Sequence, residues 1–184
     1  MYQGKIELII GPMFSGKSTK LIQEIRKLKI INSSYIIIKS NIDIRYEKNY
    51  IVSHNNEKES CIITDDLNTI EDEIIFKSST IIIDEGQFLK NLKNKVLYWS
   101  EKLNKNIIIA GLDGDYKRNP IGEILELIPY CDKCIKISAL CKHCNDGTPG
   151  IFSFKLTKNN SQILVGSTEL YVSVCRKHYL ELSN

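Results

Sequence analysis

One segment near the start of the chain, residues 11–18, constrains the fold more than any other. It reads GPMFSGKS and matches the pattern GxxxxGK[ST] at every specified position. The apolar run at residues 5–10 predicts a buried strand before it, and the helical spacing of Leu21 and Ile25 predicts a helix after it. In such a unit, loop N–H groups and the helix N-terminus bind phosphate oxygens. We therefore predict a phosphate-binding loop, the alternative being a chance glycine-rich turn.

Two pairs of side chains predict the chemistry of a nucleoside triphosphate site. In the loop, Lys17 offers a charge for the β- and γ-phosphates, and the Ser18 hydroxyl suits Mg²⁺. A second strand, residues 80–84, ends in Asp84, which we expect at the Mg²⁺ because ligands bind at the carboxyl ends of parallel strands. Strand alternation directs the following Glu85 elsewhere, where it can act as a general base. A solvated carboxylate pair at a turn is the alternative, and the acceptor is not named by these features.

Strand and helix patterns alternate through residues 1–130. Further strand-length apolar runs occur at 35–39 and 106–111, and the segments between them have helical spacing. One short helix is predicted to begin at Pro120, with its apolar side chains, including Leu125 and Ile128, directed inward. This alternation predicts a parallel sheet with helices on both faces. Residues 131–184, with paired cysteines and short alternating segments, are predicted to form a second, β-rich domain.

The cysteines point to a metal site in that second part. A chain of 184 residues that is 42% hydrophobic can build a core without disulfides, so clustered CxxC spacing favours metal. Tetrahedral zinc needs four ligands, usually two close pairs separated by a longer loop. Cys141/Cys144 and Cys175/His178 meet that spacing, and four protein ligands indicate a structural role. The competing pair Cys131/Cys134 is too close to Cys141 for such a site, and we interpret it as ordinary thiols.

Charge and hydropathy exclude several other classes. Lys and Arg number 25 against 22 Asp and Glu, a net charge of +3 that is low for a dedicated nucleic-acid binder. The chain opens MYQGKIELII, which does not predict a signal peptide, and no apolar run approaches the length of a membrane span. We therefore expect a cytoplasmic protein that binds neither nucleic acid nor membrane.

An ordered set of motifs indicates which molecule accepts the phosphate. It comprises GPMFSGKST at 11–19, DIRY at 43–46, IDEGQF at 83–88, GLDGDYKRNPIG at 111–122, CKHC at 141–144 and YVSVCRKH at 171–178. This set resembles the thymidine kinases of the zinc-containing type and covers nearly the whole chain. The resemblance implies an α/β fold with a RecA-like P-loop sheet, a zinc-binding lasso domain, and transfer of phosphate from ATP to the 5′-hydroxyl of thymidine.

The resemblance also implies roles for individual residues. Glu85 corresponds to the catalytic base that takes the proton from the 5′-hydroxyl. The residues implied at the ATP phosphates and Mg²⁺ are Gly11, Pro12, Met13, Phe14, Ser15, Gly16, Lys17, Ser18, Asp43, Arg45, Asp84 and Gln87. Those implied at thymidine are Met13, Phe88, Leu112, Tyr116, Gln162, Ile163, Leu164, Val165, Gly166 and Tyr171. Without the resemblance, Arg45 taken singly is better interpreted as a solvated loop residue, and each aromatic as ordinary core packing.

The chain departs from the family pattern at two positions, and the family implies two further properties. Tyr116 stands where Phe is commoner, and the fourth metal ligand, His178, stands where many members have Cys. The family implies dTTP as a feedback inhibitor and assembly as a homotetramer or a dimer. Two rival functions remain open at this point: a nucleoside monophosphate kinase, which needs more arginines than this chain offers, and a small ATPase that binds nucleic acid through its zinc module.

Overall fold

The computed structural model describes residues 3–41, 50–52, 58–157 and 170–183. The predicted site residues Asp43 and Arg45, and the lasso residues 162–166, lie outside these ranges. Within them, the strands are β1 Ile6–Gly11, β2 Tyr35–Lys39, β3 Tyr50–Val52, β4 Lys58–Ser60, β5 Ile62–Ile63, β6 Thr80–Asp84, β7 Asn106–Leu112, β8 Lys133–Lys136, β9 Ala139–Leu140, β10 Pro149–Gly150, β11 Phe152–Lys155 and β12 Tyr171–Val174. The α-helices are α1 Lys17–Ile30, α2 Asp72–Phe76, α3 Leu92–Leu97 and α4 Arg176–Ser183.

A six-stranded parallel sheet forms the centre of the molecule, in the order β5–β2–β6–β7–β1–β8. The strands predicted at 35–39 and 80–84 are confirmed at both ends, β1 is shifted by one residue at both ends, and β7 extends one residue further at its end. The α/β class with a parallel sheet is therefore confirmed. Because the six strands of this sheet are parallel, β1, β6 and β7 bring their carboxyl ends to the same edge of the sheet.

Both faces of the sheet are covered, which explains its isoleucine-rich strands. On one face, Ile9 and Ile82 pack with Leu21 and Ile25 of α1. On the other, the alternate residues of the same strands pack against α3 and the fully buried Trp99. A strand buried on both sides has no position for a polar residue, so it forms a continuous apolar run. Among the helices of the described ranges, none has the length and apolar character needed to cross a bilayer.

The helix predicted from Pro120 differs from the structure. It is a 3₁₀ helix, Ile124–Tyr130, and it begins four residues later than predicted. Its buried residues are Ile124 and Leu127, while Ile128, predicted to face inward, is 43% exposed. A 3₁₀ helix has three residues per turn, so positions 124 and 127 share a face and 128 turns away.

The β-rich part of the chain begins later than residue 131. Strand β8 pairs in parallel with β1 and completes the edge of the central sheet. After it come two antiparallel pairs, β9 with β10 and β11 with β12, followed by α4. A separate apolar cluster supports this region, formed by Cys141, Val174, Cys175 and Tyr179. The predicted second domain, residues 131–184, thus contributes one strand, β8, to the central sheet.

Candidate active site and metal centre

The predicted phosphate loop lies between β1 and α1 at the carboxyl edge of the sheet. Gly16 has φ +83°, a left-handed conformation that glycine adopts without strain. Gly11 also requires glycine, because a Cβ there would meet the carbonyl oxygen of Ile137. The Lys17 Nζ donates to the Pro12 carbonyl at 2.7 Å. Helix α1 has no acidic residue of its own in its first turn, and its N-cap residue Gly16 has no capping side chain, so no residue of the helix offsets its N-terminal partial positive charge.

The loop and the acidic strand end meet at one point. The Ser18 Oγ donates to Asp84 Oδ2 at 3.1 Å, joining residues 66 positions apart. Two oxygen ligands at neighbouring positions of an octahedral Mg²⁺ site, with metal–oxygen distances near 2.1 Å, are about 3 Å apart. Both side chains offer hard oxygen atoms, the type of ligand that Mg²⁺ prefers. This pair therefore has the chemistry and spacing of two Mg²⁺ ligands.

Glu85 is buried and has an unusual backbone conformation. Its φ is +55° and its ψ is +41°, in the left-handed region, and 8% of the residue is exposed. A non-glycine residue there costs about 1–3 kcal/mol, and such residues cluster at functional sites. We predicted that strand alternation would direct the Glu85 side chain away from Asp84. Strand β6 ends at Asp84, so the left-handed backbone of Glu85, and not strand alternation, sets the direction of its side chain.

Gln87 connects Glu85 to the neighbouring strand. Its Nε2 donates to Glu85 Oε2 at 2.6 Å, and its Oε1 accepts from the backbone N–H of Leu112 at 2.9 Å. The two bonds set the orientation of the amide, and the residue is only 3% exposed. The family resemblance implies that Gln87 lies beside the phosphates, and in the structure its amide bonds to Glu85 and to Leu112.

The residues expected at thymidine lie around the same edge of the sheet. Met13 belongs to the loop after β1, Phe88 follows β6, and Leu112 ends β7. Tyr171 begins β12 opposite Lys155, whose Nζ lies 4.7 Å from the ring centroid of Tyr116. Within the described residues, the structure therefore brings the expected side chains to two neighbouring places, the sheet edge and the β11–β12 hairpin.

Sequence reasoning missed three residues in this region: Ser153, Lys155 and Ser173. Each is at most 6% exposed. Ser153 and Ser173 bond to the phosphate loop, and Lys155 contacts the Tyr116 ring. The available signal was the period-two pattern FSFK and YVSV, which places polar residues on one face of each strand.

Four residues that were predicted to bind metal form one cluster. The ligand atoms of Cys141, Cys144, Cys175 and His178 all lie within 4.8 Å of one another. The His178 Nδ1 is 3.3–3.5 Å from the three sulfur atoms, and the Cys144 and Cys175 sulfurs are 3.8 Å apart. Tetrahedral zinc bonds of 2.0–2.3 Å imply ligand separations of about 3.5–3.8 Å. A disulfide would need about 2.05 Å. The cluster can therefore bind zinc.

The surroundings of this cluster act on two of its thiols in opposite directions. Burial raises the pKa of the Cys141 thiol, but backbone N–H groups of Cys175, Cys144 and His143 donate to its sulfur, and the pKa falls to about 6. Burial and the neighbouring sulfurs of Cys141 and Cys175 raise the pKa of the Cys144 thiol to about 11. A thiolate is the form that binds zinc, so Cys141 is the more readily ionised ligand of the two. The carboxylate of Glu181 is 3.9 Å from the His178 Nε2, beyond hydrogen-bond range.

The competing cysteine pair lies elsewhere. Cys134 is exposed on the edge strand β8, and Cys131 packs against the main core. Neither belongs to the metal-ligand cluster found among the described residues. Their interpretation as ordinary thiols agrees with this placement.

Together, the fold and site define a mixed α/β protein with a six-stranded parallel sheet and a Cys₃His cluster able to bind zinc. The family model described as "Thymidine kinase" matches residues 4–179. Similar proteins of that name occur in sheeppox virus (41% identical, over 97% of this chain and 98% of the relative), in Mycoplasma mobile (38%, over 97% and 88%) and in Oryza sativa (36%, over 98% and 68%). The chain therefore belongs to the thymidine kinase family, and it is an enzyme of that family.

Proposed function

We propose that this enzyme transfers the γ-phosphoryl group of ATP to the 5′-hydroxyl of thymidine, giving dTMP and ADP. The observation that carries the proposal is the contact between Ser18 and Asp84, made directly beside the buried Glu85. This contact supports a metal-binding role for the pair, with a separate carboxylate available at the same edge of the sheet. The relatives named above supply the nucleoside, since each is named as a thymidine kinase.

The loop at residues 11–18 would bind the triphosphate, as the P-loop of a RecA-like fold. The uncapped N-terminus of α1 and the Lys17 amine both favour negative charge there. Ser18 and Asp84 would hold Mg²⁺, which neutralises charge that develops on the phosphates. Asp43 and Arg45 are proposed beside the same phosphates, where a guanidinium stabilises the transferring group.

Glu85 is proposed as the general base. As the 5′-oxygen attacks the γ-phosphorus, its proton passes to the Glu85 carboxylate, and the bond from the γ-phosphorus to the bridging oxygen of ADP breaks. Gln87 supports this role because its donated hydrogen bond holds the carboxylate at one position. A base that is already oriented needs no rearrangement when the substrate arrives.

For the nucleoside, we propose a pocket at the sheet edge and the β11–β12 hairpin. Phe88 would pack on thymine, Met13 and Leu112 would lie beside its 5-methyl group, and Tyr116 and Tyr171 would complete the wall. The backbone of residues 162–166 would bind the polar edge of the base. Apolar side chains at 163–165 are compatible with such recognition, because the binding groups belong to the main chain.

The metal is proposed to be structural zinc. Four protein ligands leave no open coordination position for substrate. The ligands join the β9–β10 end of the module to β12 and α4, so zinc would hold together the two ends of the segment that carries the nucleoside pocket. We also propose a cytoplasmic homotetramer or dimer, with dTTP as a feedback inhibitor that places its base in the thymidine pocket.

A phosphate-transfer assay tests the proposal. The enzyme is incubated with Mg²⁺ and ATP labelled at the γ-phosphate, and with thymidine, dTMP or single-stranded DNA in parallel reactions. We expect labelled dTMP in the thymidine reaction and no acceptor product in the others. Labelled dTDP from dTMP would indicate a monophosphate kinase, and DNA-stimulated release of inorganic phosphate would indicate the ATPase alternative.

Lys17→Ala is expected to raise the KM for ATP and to lower kcat, each by about tenfold or more. The reason is the loss of a charge-assisted contact to the phosphates, which is worth about 1.5–3 kcal/mol. Steady-state kinetics with varied ATP measures both constants. The control is Lys20→Ala, which removes a partly exposed lysine one turn further along α1. Unchanged ATP kinetics for Lys17→Ala would exclude the loop as the triphosphate site.

Gln87→Met separates two roles for Gln87. If it positions Glu85, the variant is expected to lose about tenfold or more in kcat with little change in the KM for ATP, because the lost hydrogen bonds reach Glu85 and Leu112. If Gln87 binds phosphate, as the family resemblance implies, the KM for ATP rises instead. Measurement of both constants at saturating thymidine decides between the roles.

A further inference from the structure

Two serines join the metal module to the predicted phosphate loop. The backbone N–H of Met13 donates to Ser153 Oγ at 3.0 Å, and the Ser173 Oγ donates to the carbonyl oxygen of Met13 at 2.7 Å. Both main-chain polar groups of one loop residue are thus held by side chains about 140 or more positions later in the chain. We refer to Ser153 and Ser173 as the serine pair.

The serine pair is rigidly placed. The two residues lie directly opposite each other in the β11–β12 hairpin, and they are 6% and 4% exposed. Side chains directly opposite each other in an antiparallel pair share one face of the hairpin. The backbone carbonyl of Ser173 also accepts from the N–H of Lys142, so β12 is bonded to the segment between the first two metal ligands.

The opposite face of the same hairpin packs against the metal cluster. Phe152 and Phe154 lie 5.1 and 5.9 Å, between ring centroids, from Tyr179 of α4. Val174 joins the apolar cluster that contains Cys141 and Cys175. Because side chains alternate along a strand, one face of this short hairpin contacts the metal module while the other contacts the phosphate loop.

We propose that the serine pair couples the zinc site to the triphosphate site. Ser153 and Ser173 are positioning residues: they set the main-chain geometry of Met13, and zinc sets the hairpin that carries them. The inference rests on the proposed function only in taking residues 11–18 as the triphosphate site. Zinc then supports ATP binding as well as the nucleoside pocket. Because coupling between two binding sites is reciprocal, bound ATP must in turn stabilise zinc.

The test measures binding and does not depend on turnover. Zinc release from the full-length holoenzyme to a chromogenic chelator is followed with and without a non-hydrolysable ATP analogue. We expect the analogue to slow release at least threefold in the unaltered enzyme and to have no effect in the double variant Ser153→Ala/Ser173→Ala. Loss of two hydrogen bonds between neutral groups also predicts a Kd for the analogue that is raised about tenfold.

Ser183→Ala is the matched control, because the Ser183 hydroxyl donates to the Tyr179 carbonyl within α4, and this variant should behave like the unaltered enzyme. If the double variant loses zinc during purification, each single variant carries the test and is expected to show part of the effect. Equal slowing of zinc release by the analogue in the double variant and in the unaltered enzyme would overturn the coupling. Purification of the unaltered enzyme without bound zinc would also overturn it. A coupled enzyme that does not phosphorylate thymidine would instead contradict the proposed function and leave the coupling intact.

Discussion

Glu85→Gln is expected to lower kcat by at least a hundredfold while the KM values for ATP and thymidine change less than about threefold. Positioned general bases contribute about 10²–10⁴ in rate, and an amide cannot accept the proton of the 5′-hydroxyl. The substitution keeps the size of the side chain and its ability to bond to Gln87. Initial rates at saturating substrates, together with equilibrium binding of both ligands, measure the two effects separately.

The control for this variant is Glu101→Gln, which alters an exposed carboxylate in the π-helix Tyr98–Lys102 that follows α3. It is expected to retain the full rate. Near-normal kcat in Glu85→Gln would remove Glu85 from the mechanism. Lost binding of both substrates would instead show that the buried carboxylate supports the structure of the site, as the left-handed backbone at this residue could require.

Cys175→Ser is expected to abolish stoichiometric zinc binding and to unfold the metal module. Serine is a weak zinc ligand, and zinc binding supplies on the order of 10 kcal/mol to small modules that fold around it. Cys175 is also part of the apolar cluster with Val174 and Tyr179, so the hairpin loses its support together with the metal. Metal analysis, thermal unfolding and the KM for thymidine measure the loss, and the KM is expected to rise more than tenfold.

Cys134→Ser is the matched control, since Cys134 is an exposed thiol outside the cluster. It is expected to keep full zinc content and stability. If Cys175→Ser retained one zinc and Cys134→Ser lost it, the metal would belong to the alternative pair Cys131/Cys134. Treatment of the unaltered enzyme with a strong chelator should reproduce the effects of Cys175→Ser, and restored zinc should reverse them.

Short-range patterns predicted the main elements well. The strands 35–39 and 80–84 have the predicted bounds because a run of isoleucines ending at a charged residue leaves little choice of register. The short helices were predicted less well. At Ile124 a 3₁₀ helix replaced the predicted α-helix, and this changed which side chains are buried, since its period is three residues. The choice between these helices depends on packing against α3 and the sheet.

Long-range contacts could not be predicted from spacing. The hydrogen bonds of Gln87 to Glu85 and to the N–H of Leu112 on the neighbouring strand were not predicted. The serines at 153 and 173 had no role assigned, because their partner Met13 is about 140 residues or more away. Nothing in a local pattern specifies which strand lies next to which loop.

By itself, the sequence determined what each segment can do: a glycine- and lysine-containing loop between strand and helix, a carboxylate pair at a strand end, and four ligands at zinc spacing. These properties depend on neighbours within a few residues, where backbone geometry follows directly from residue type. Only the tertiary structure decided what Glu85 and Met13 bond to, and that the module with the Cys₃His cluster touches the predicted phosphate loop. Such contacts arise when the sheet and the hairpin pack together, and their distances are set by the whole fold.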